Sequence, residues 1–291
     1  MKKILALILT AALLLCCFAG CSAANKDPVS DKQTDTAASP KDTADVQTEP
    51  EQTDTAADSD LAYIKDKGVL IVGVTDFAPM DYQDANGEWI GFDADLAKAF
   101  AESLGVEVKF VEIEWDYKIL ELENKSIDCV WNGMTLGDEV LAAMECTVPY
   151  CNNSQVVVVN AADAAQYQTA DACMDLRFAV EAGSAGEDMA EELGFIYTPV
   201  VDQATALMEV AAGTANAAII DKLMAAAMVG EGTDYENLTY TVDLNEEVYG
   251  VGFRKGSDMA AALNDFFAAV IADGTMRQLA ELYGVQASLI E

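Results

Sequence analysis

The chain has 291 residues, with 16 Lys and Arg against 50 Asp and Glu, and its formal net charge is −34 at pH 7. Such an acidic surface argues against nucleic-acid binding and against a polybasic membrane contact. The chain has no histidine, which excludes a Ser-His-Asp triad, a Cys-His pair and a histidine metal site. We therefore expect no catalytic residues, no metal and no cofactor.

Residues 1–20 have the pattern of a secretory signal peptide. Two lysines near the start precede an apolar run at 4–18, and Ala19 and Gly20 are small residues before Cys21. The run is too short to cross a hydrocarbon core of ~30 Å as a helix. The series FAGC at 18–21 resembles a bacterial lipobox, which implies lipidation of Cys21. The alternative is an ordinary signal peptide followed by an unrelated cysteine.

Residues 21–60 predict a disordered, acidic stalk behind the lipid. The segment 22–60 carries ten acidic residues against three lysines, and Val29 and Val46 are its only aliphatic residues larger than alanine. A segment of this composition cannot bury enough apolar surface to offset the entropy lost on ordering. Its like charges repel one another and extend it. A small folded subdomain is the alternative, but it would have almost no core.

The remainder of the chain alternates β-rich runs with helical patterns, which indicates an α/β protein. Its first set of predicted elements comprises a strand at 69–74, a helix at 93–104 capped by Asp93, a strand at 106–113, a helix at 115–124 and a strand at 127–131. An extended segment at 154–160 then predicts a crossing into a second set.

The second set begins with a predicted strand at 178–181, a helix from the 183–186 turn to Leu193 and a helix at 202–212. A strand at 217–220, ending at Asp221, and a helix to about Val229 follow. The chain ends with a predicted strand at 248–253 and helices at 258–272 and 275–283. Two crossings between two α/β sets predict two lobes joined by a double hinge. Lobe 1 comprises 61–153 and 246–291, and lobe 2 comprises 154–245. In such folds, ligands bind beyond the strand carboxyl ends.

Several motifs occur in order along residues 61–287. They are GVLIVGV at 68–74, GFDADLA at 91–97, Ile127-Asp128, YGVGFRKGS at 249–257 and DGTM at 273–276. Together they resemble the polar amino-acid substrate-binding proteins of bacterial ABC importers, family 3. The resemblance implies a two-lobed periplasmic-binding-protein fold with an interlobe cleft. It also agrees with lipidation at Cys21, which is common among Gram-positive members.

The same resemblance implies a set of ligand-binding residues. Asp221 matches the aspartate that accepts the ligand α-ammonium group, although it also suits a helix N-cap. Ser184 lies in a turn that contacts the ligand carboxylate, but it too can simply cap its helix. Gly133 and Thr135 would offer backbone and hydroxyl contacts, and Phe77 and Trp131 would form apolar walls.

One position departs from the family pattern. In the stretch GMTLGDEV at 133–140, Val140 stands where the family has an arginine that clamps the ligand α-carboxylate. Valine cannot reproduce the bidentate contact of a guanidinium group. Lys118, on the cleft side of lobe 1 by resemblance, is the candidate replacement cation; a solvated surface lysine is the alternative. The departure favours an atypical or cationic ligand.

These observations predict an extracellular lipoprotein that captures an amino acid or related amine by lobe closure and delivers it to an ABC permease, with contact to the membrane through its lipid only. Two alternatives remain open: a sensor or adhesion lipoprotein with a degenerate cleft, and an enzyme on the same fold. Outside the signal, Cys129, Cys146, Cys151 and Cys173 have no C-x-x-C spacing, and Cys146 with Cys151 is the nearest pair for a disulfide.

Overall fold

The computed structural model describes residues 59–290. The predicted signal peptide, Cys21 and nearly all of the predicted stalk lie outside this range. No helix within 59–290 is long and apolar enough to cross a membrane. The four cysteines of this range are free thiols, so the pairing of Cys146 with Cys151 is absent from the described part of the chain.

Nine α-helices and thirteen strands occur in the described residues. The helices are α1 Asp60–Lys67, α2 Phe92–Leu104, α3 Lys118–Glu123, α4 Asp138–Ala143, α5 Ala185–Leu193, α6 Gln203–Ala212, α7 Lys222–Met228, α8 Met259–Ala272 and α9 Thr275–Tyr283. The strands are β1 Val69–Val74, β2 Tyr82–Gln83, β3 Trp89–Ile90, β4 Glu107–Glu112, β5 Cys129–Thr135, β6 Met144–Cys146, β7 Cys151–Asn153, β8 Gln155–Asn160, β9 Arg177–Glu181, β10 Ile196–Val200, β11 Ala217–Asp221, β12 Leu238–Asp243 and β13 Glu247–Arg254.

Two separate sheets form the centres of two lobes. The first has the order β4-β1-β5-β13-β6, with β7 also paired to β13, and the second has the order β10-β9-β11-β8-β12. β1 is parallel to both of its neighbours, and β9 is parallel to both of its own. The chain crosses between the sheets after β7 and again after β12. The carboxyl ends of the parallel strands bear the side chains described below.

The predicted strands and long helices are present, with shifts of a few residues at their ends. The segment expected to be one helix at 115–124 is a 3-10 turn at Trp115–Tyr117 followed by α3. Helix α1 begins at Asp60, the last residue of the predicted stalk, and its N-cap Ser59 accepts a hydrogen bond through Oγ from the Ala62 N–H at 3.0 Å. Edge strands of two or three residues and α4 are too short to give a periodic pattern.

The prediction that Asp93 caps α2 is wrong. The N-cap is Gly91, and the carbonyls of Pro79 and Met80 accept hydrogen bonds from the first N–H groups of the helix. Asp93 lies inside the first turn and is fully buried. Its Oδ2 accepts hydrogen bonds from the Gly133 N–H and the Tyr150 hydroxyl, both at 2.7 Å. Asp93 therefore supports the strand that lines the cleft.

Asp128, just before β5, joins four elements of the first lobe. Its buried carboxylate lies 2.6 Å from Lys67 Nζ and 3.6 Å from Arg254 Nη2, and it accepts a hydrogen bond from the Ile71 N–H at 2.7 Å. Arg254 also pairs with Asp60 at 3.1 Å. These contacts connect α1, β1, β5 and β13. Since both cations are largely shielded from water, removal of the carboxylate leaves them poorly compensated.

We expect Asp128→Ala to lower the free energy of unfolding by about 3 kcal/mol, measured by urea denaturation. The matched control is Lys222→Ala, which removes the exposed ion pair with Asp243 and is expected to cost less than about 1 kcal/mol. Equal losses in the two variants would contradict the assigned role of Asp128.

Candidate ligand cleft

A cleft lies between the carboxyl ends of the two sheets, and both lobes contribute its walls. The space between the walls is about 600 Å³ when the part open to solvent is included. The first lobe contributes Phe77, Trp115, Lys118, Asn132, Gly133, Met134, Thr135, Gly137, Asp138, Glu139 and Val140. The second contributes Glu181, Gly183, Ser184, Ala185, Asp188, Gln203 and Asp221.

Phe77 and Gly133 form one wall of the cleft. The Phe77 ring packs edge-on against Tyr249 with 6.4 Å between ring centroids. Gly133 has a φ of +55°, and a Cβ at this position would lie 2.6 Å from Phe77 Cε1. Its N–H is already bonded to Asp93. Gly133 therefore shapes the wall and leaves room for the ring, while its amide is engaged within the protein.

We expect Gly133→Ala to lower the free energy of unfolding by about 1–3 kcal/mol, because the alanine combines a left-handed backbone with a steric clash. Gly137→Ala is the matched control in the same cleft. Gly137 has a φ of −80° and nothing within 4 Å of an added Cβ, so Gly137→Ala should change the free energy of unfolding little. Similar losses in thermal unfolding experiments would contradict this interpretation of Gly133.

Asp221 ends β11 at the base of the cleft, with only 4% of its surface exposed. Its Oδ1 accepts hydrogen bonds from Tyr249 Oη at 2.5 Å, Gln155 Nε2 at 3.2 Å and Asn153 Nδ2, and its Oδ2 accepts one from Gln203 Nε2. The side chain does not cap α7, although the residue occupies the N-cap position. Burial, and then the nearby Glu247, raise the pKa of Asp221 to about 7.

The four side chains that hold Asp221 were not predicted from the sequence. Asn153 and Gln155 lie on either side of the first crossing, and both also donate to Glu247 Oε1 near the second, at 2.6 and 2.9 Å. Gln203 comes from α6 and Tyr249 from β13. No local motif connects these positions, because only the tertiary fold brings them together.

Glu181 is a second buried carboxyl group in the cleft that sequence reasoning missed. It ends β9 and is 2% exposed. Its Oε2 accepts a long hydrogen bond of 3.4 Å from Gln203 Nε2, and its Oε1 has no hydrogen-bond partner. Burial, and then the charge of Asp221, raise the pKa of Glu181 to about 8. The sequence signal that could have indicated Glu181 is its position as an acidic residue at the end of a predicted strand.

Lys118 lines the cleft, but its ammonium group is engaged within the protein. Nζ donates to the Gly183 carbonyl of the second lobe at 2.8 Å and to the Trp115 carbonyl at 3.4 Å. It also lies 5.2 Å from the centre of the Trp115 ring. Burial lowers the pKa of Lys118. Lys118 thus connects the two lobes, in addition to lining the space between them.

Ser184 and Thr135 also line the cleft. Ser184 is the N-cap of α5, and its Oγ accepts a hydrogen bond from the Glu187 N–H at 3.2 Å. Glu187 Oε2 accepts in return from the Gly183 N–H at 2.6 Å. Thr135 is half-buried at the end of β5. The structure places both residues beside the same space as Asp221.

Trp131 does not form a wall of the cleft, and this prediction is corrected. Its ring is fully buried and packs edge-on against Phe100 and Phe267 at centroid distances of 6.3 and 5.7 Å. Successive side chains of a strand point to opposite faces. The adjacent Asn132 lines the cleft, whereas Trp131 packs into the core against α2 and α8.

The cleft is strongly acidic. Five of its described lining residues are carboxylates, and Lys118 is the one Lys or Arg among them. Asp138, Glu139 and Asp188 are exposed around the opening. Val140, in the first turn of α4, is nearly buried and also faces the space. Within 59–290, no group of three or more His, Cys, Asp or Glu residues is arranged to hold a metal ion.

The protein has two α/β lobes with a polar cleft between them, and the chain crosses from one lobe to the other twice. This arrangement defines a two-lobed ligand-binding protein. The family model for bacterial extracellular solute-binding proteins, family 3, matches residues 70–286. The chain belongs to this family. The predicted fold class and family are thereby confirmed.

Individual relatives agree with this assignment. The chain is 28% identical over 225 residues to the L-cystine-binding protein TcyJ of Escherichia coli strain K12, covering 76% of this chain and 84% of the relative. It resembles the arginine-bound form of truncated ArgBP from T. maritima at 30% identity and a TM-score of 0.67, covering 72% and 99%. It also resembles an ancestral amino acid-binding protein, AncCDT-1, described as a precursor of cyclohexadienyl dehydratase, at 32% identity and a TM-score of 0.70, covering 77% and 99%.

The raised pKa values predict that the ligand-free protein becomes less stable as the pH rises. The pKa is raised to about 6 in Asp93, about 7 in Asp221 and about 8 in Glu181, from 3.8 for Asp and 4.5 for Glu. Between the ordinary pKa of each group and its raised pKa, the folded state binds more protons than the unfolded state. The free energy of unfolding therefore falls from about pH 4 to pH 8. The thermal midpoint should therefore be lower at pH 8.5 than at pH 5. A midpoint that increases over this interval would contradict the prediction.

Proposed function

We propose that this protein captures an amino acid or a related amine in the interlobe cleft and delivers it to an ABC permease. The observation that carries the proposal is the cleft itself, in which side chains from both lobes, five of them acidic, line one shared space. Family membership supports an extracellular solute-binding role. The amino-acid ligands of the relatives support the ligand class.

Ligand contacts from both lobes would stabilise the closed arrangement. In this proposal Phe77 packs against the ligand, Asp221 accepts its ammonium group, and Thr135 and Ser184 offer hydroxyl oxygens. Gly133 gives the wall its shape, and Lys118 holds the lobes together through the Gly183 carbonyl. The ligand would make more contacts in the closed arrangement than in the open one, and this difference couples ligand capture to lobe closure.

We further propose that residues 1–20 are removed as a signal peptide, and that a lipid on Cys21 with the stalk at 21–60 tethers the lobes outside the cell membrane. Lobe 1 would comprise 61–153 and 246–291, and lobe 2 would comprise 154–245. The two large sheets support this division, since the first contains β1, β4 to β7 and β13 and the second contains β8 to β12.

An enzyme is the second candidate, because AncCDT-1 is described as the precursor of a dehydratase. A carboxyl group such as Glu181, with a pKa of about 8, could also supply a proton in a dehydration. We propose binding without turnover, since the acidic cleft has no histidine. Recovery of each bound ligand unchanged after prolonged incubation tests this directly, and a converted ligand would favour the enzyme.

Titration calorimetry with amino acids and amines tests the binding proposal, and Asp221→Asn tests the site. Because the variant removes the negative charge facing an ammonium group, we expect affinity to fall roughly tenfold or more. Asp175→Asn, at an exposed position of the second lobe outside the cleft, is the matched control and should bind normally. Unchanged affinity in folded Asp221→Asn would remove Asp221 from the ligand contacts, and a wild-type protein that binds none of the compounds would overturn the transport role.

A further inference from the structure

Glu181 and Asp221 lie at the carboxyl ends of two neighbouring parallel strands, β9 and β11. Both side chains therefore reach the same edge of the second-lobe sheet and both line the cleft. The side-chain amide of Gln203 donates from one nitrogen to both carboxyl groups. The pair is thus joined by a single neutral donor at the base of the cleft.

The two carboxyl groups differ in how they are satisfied. Asp221 accepts hydrogen bonds from four side chains. Glu181 has only the shared Gln203 nitrogen at 3.4 Å, and its Oε1 is buried without a partner. A buried carboxyl oxygen without a donor is costly. Because Glu181 borders the cavity, a ligand entering the cleft is placed to supply that donor.

The charges around the cleft favour a positively charged donor group on the ligand. Asp188 and Glu139 border the same cavity and repel anions. The Lys118 ammonium is bonded to the Gly183 and Trp115 carbonyls, so an anionic ligand would have to displace it from both. A positively charged group meets no such obstacle and gains a charge-assisted hydrogen bond to Glu181.

We propose that Glu181 is a recognition residue for a positively charged group of the ligand, so that the cleft selects small amines and guanidinium compounds over neutral and anionic solutes of similar size. This inference rests on the proposed function and specifies its ligand class.

Proton release accompanies this recognition. The groups that act on Glu181 are Asp221 and Asp202, which raise its pKa, and Lys118 and the Gln203 amide, which lower it. With a pKa of about 8, Glu181 is largely protonated at pH 7 in the ligand-free cleft. A bound cation favours the carboxylate, so the carboxyl proton passes to the buffer as the cation binds. Affinity for a cation should therefore increase from pH 6 to pH 8.5.

The test compares agmatine, putrescine and arginine with citrulline, which has the size of arginine but a neutral side chain. Titration calorimetry at pH 7 should show each cationic probe binding at least roughly tenfold more tightly than citrulline. Glu181→Gln should weaken binding of the cationic probes by roughly 10- to 100-fold and change citrulline binding by less than about threefold. Glu192→Gln, an exposed carboxylate of α5 that does not line the cleft, removes the same charge and should bind normally.

The outcomes separate this inference from the proposed function. Equal binding of arginine and citrulline by the wild type, or unchanged affinity for the cationic probes in Glu181→Gln, overturns the role of Glu181 and leaves the binding function intact. Failure of every amino acid and amine to bind overturns both. If Glu181→Gln does not fold, the wild-type pH profile decides, because an affinity for agmatine that stays flat from pH 6 to pH 8.5 overturns the inference.

Discussion

The burial of Asp221 is the constraint on which the rest of the cleft depends. A carboxyl group at the base of a narrow cleft must be neutralised or surrounded by donors. Here the donors come from Asn153, Gln155, Gln203 and Tyr249. Two of them belong to the chain crossing between the lobes, and both also bind Glu247 beside the other crossing. One buried carboxyl group therefore connects the base of the cleft with both chain crossings between the lobes.

Hydrogen-bond donors are distributed unequally between the two buried carboxyl groups of the cleft. Asp221 receives all the nearby amides and the tyrosine hydroxyl, while Glu181 shares one nitrogen and retains a bare oxygen. Lys118, the cation of the cleft wall, joins the lobes through the Gly183 carbonyl. Glu181 Oε1 is thus left without a hydrogen-bond partner within the protein. An amino acid or amine with positive charge would complete what the folded chain leaves unpaired.

Membership of the family explains the general architecture, and the departures from it explain what distinguishes this chain. Val140 replaces the expected arginine and packs in a small apolar cluster near Met134 and Met144. That position consequently provides no charge for a carboxylate. Glu181, Asp188 and Glu139 line the same cleft and add acidic groups to it. Among the described lining residues of the cleft, five are acidic and Lys118 is the one Lys or Arg.

The sequence by itself determined the α/β class, the two-lobed fold, the order of the long elements and several residues of the cleft, because burial periodicity and ordered motifs are local signals. It misplaced Asp93 and Trp131. Backbone carbonyls of a preceding loop made a side-chain cap unnecessary for α2, and strand alternation directed the indole into the core. Only the tertiary structure decided that Glu181 and Asp221 share the Gln203 donor and that Lys118 reaches the other lobe. Those contacts join residues 18, 22 and 65 positions apart. A local sequence pattern does not indicate which distant donors will lie next to a buried carboxyl group.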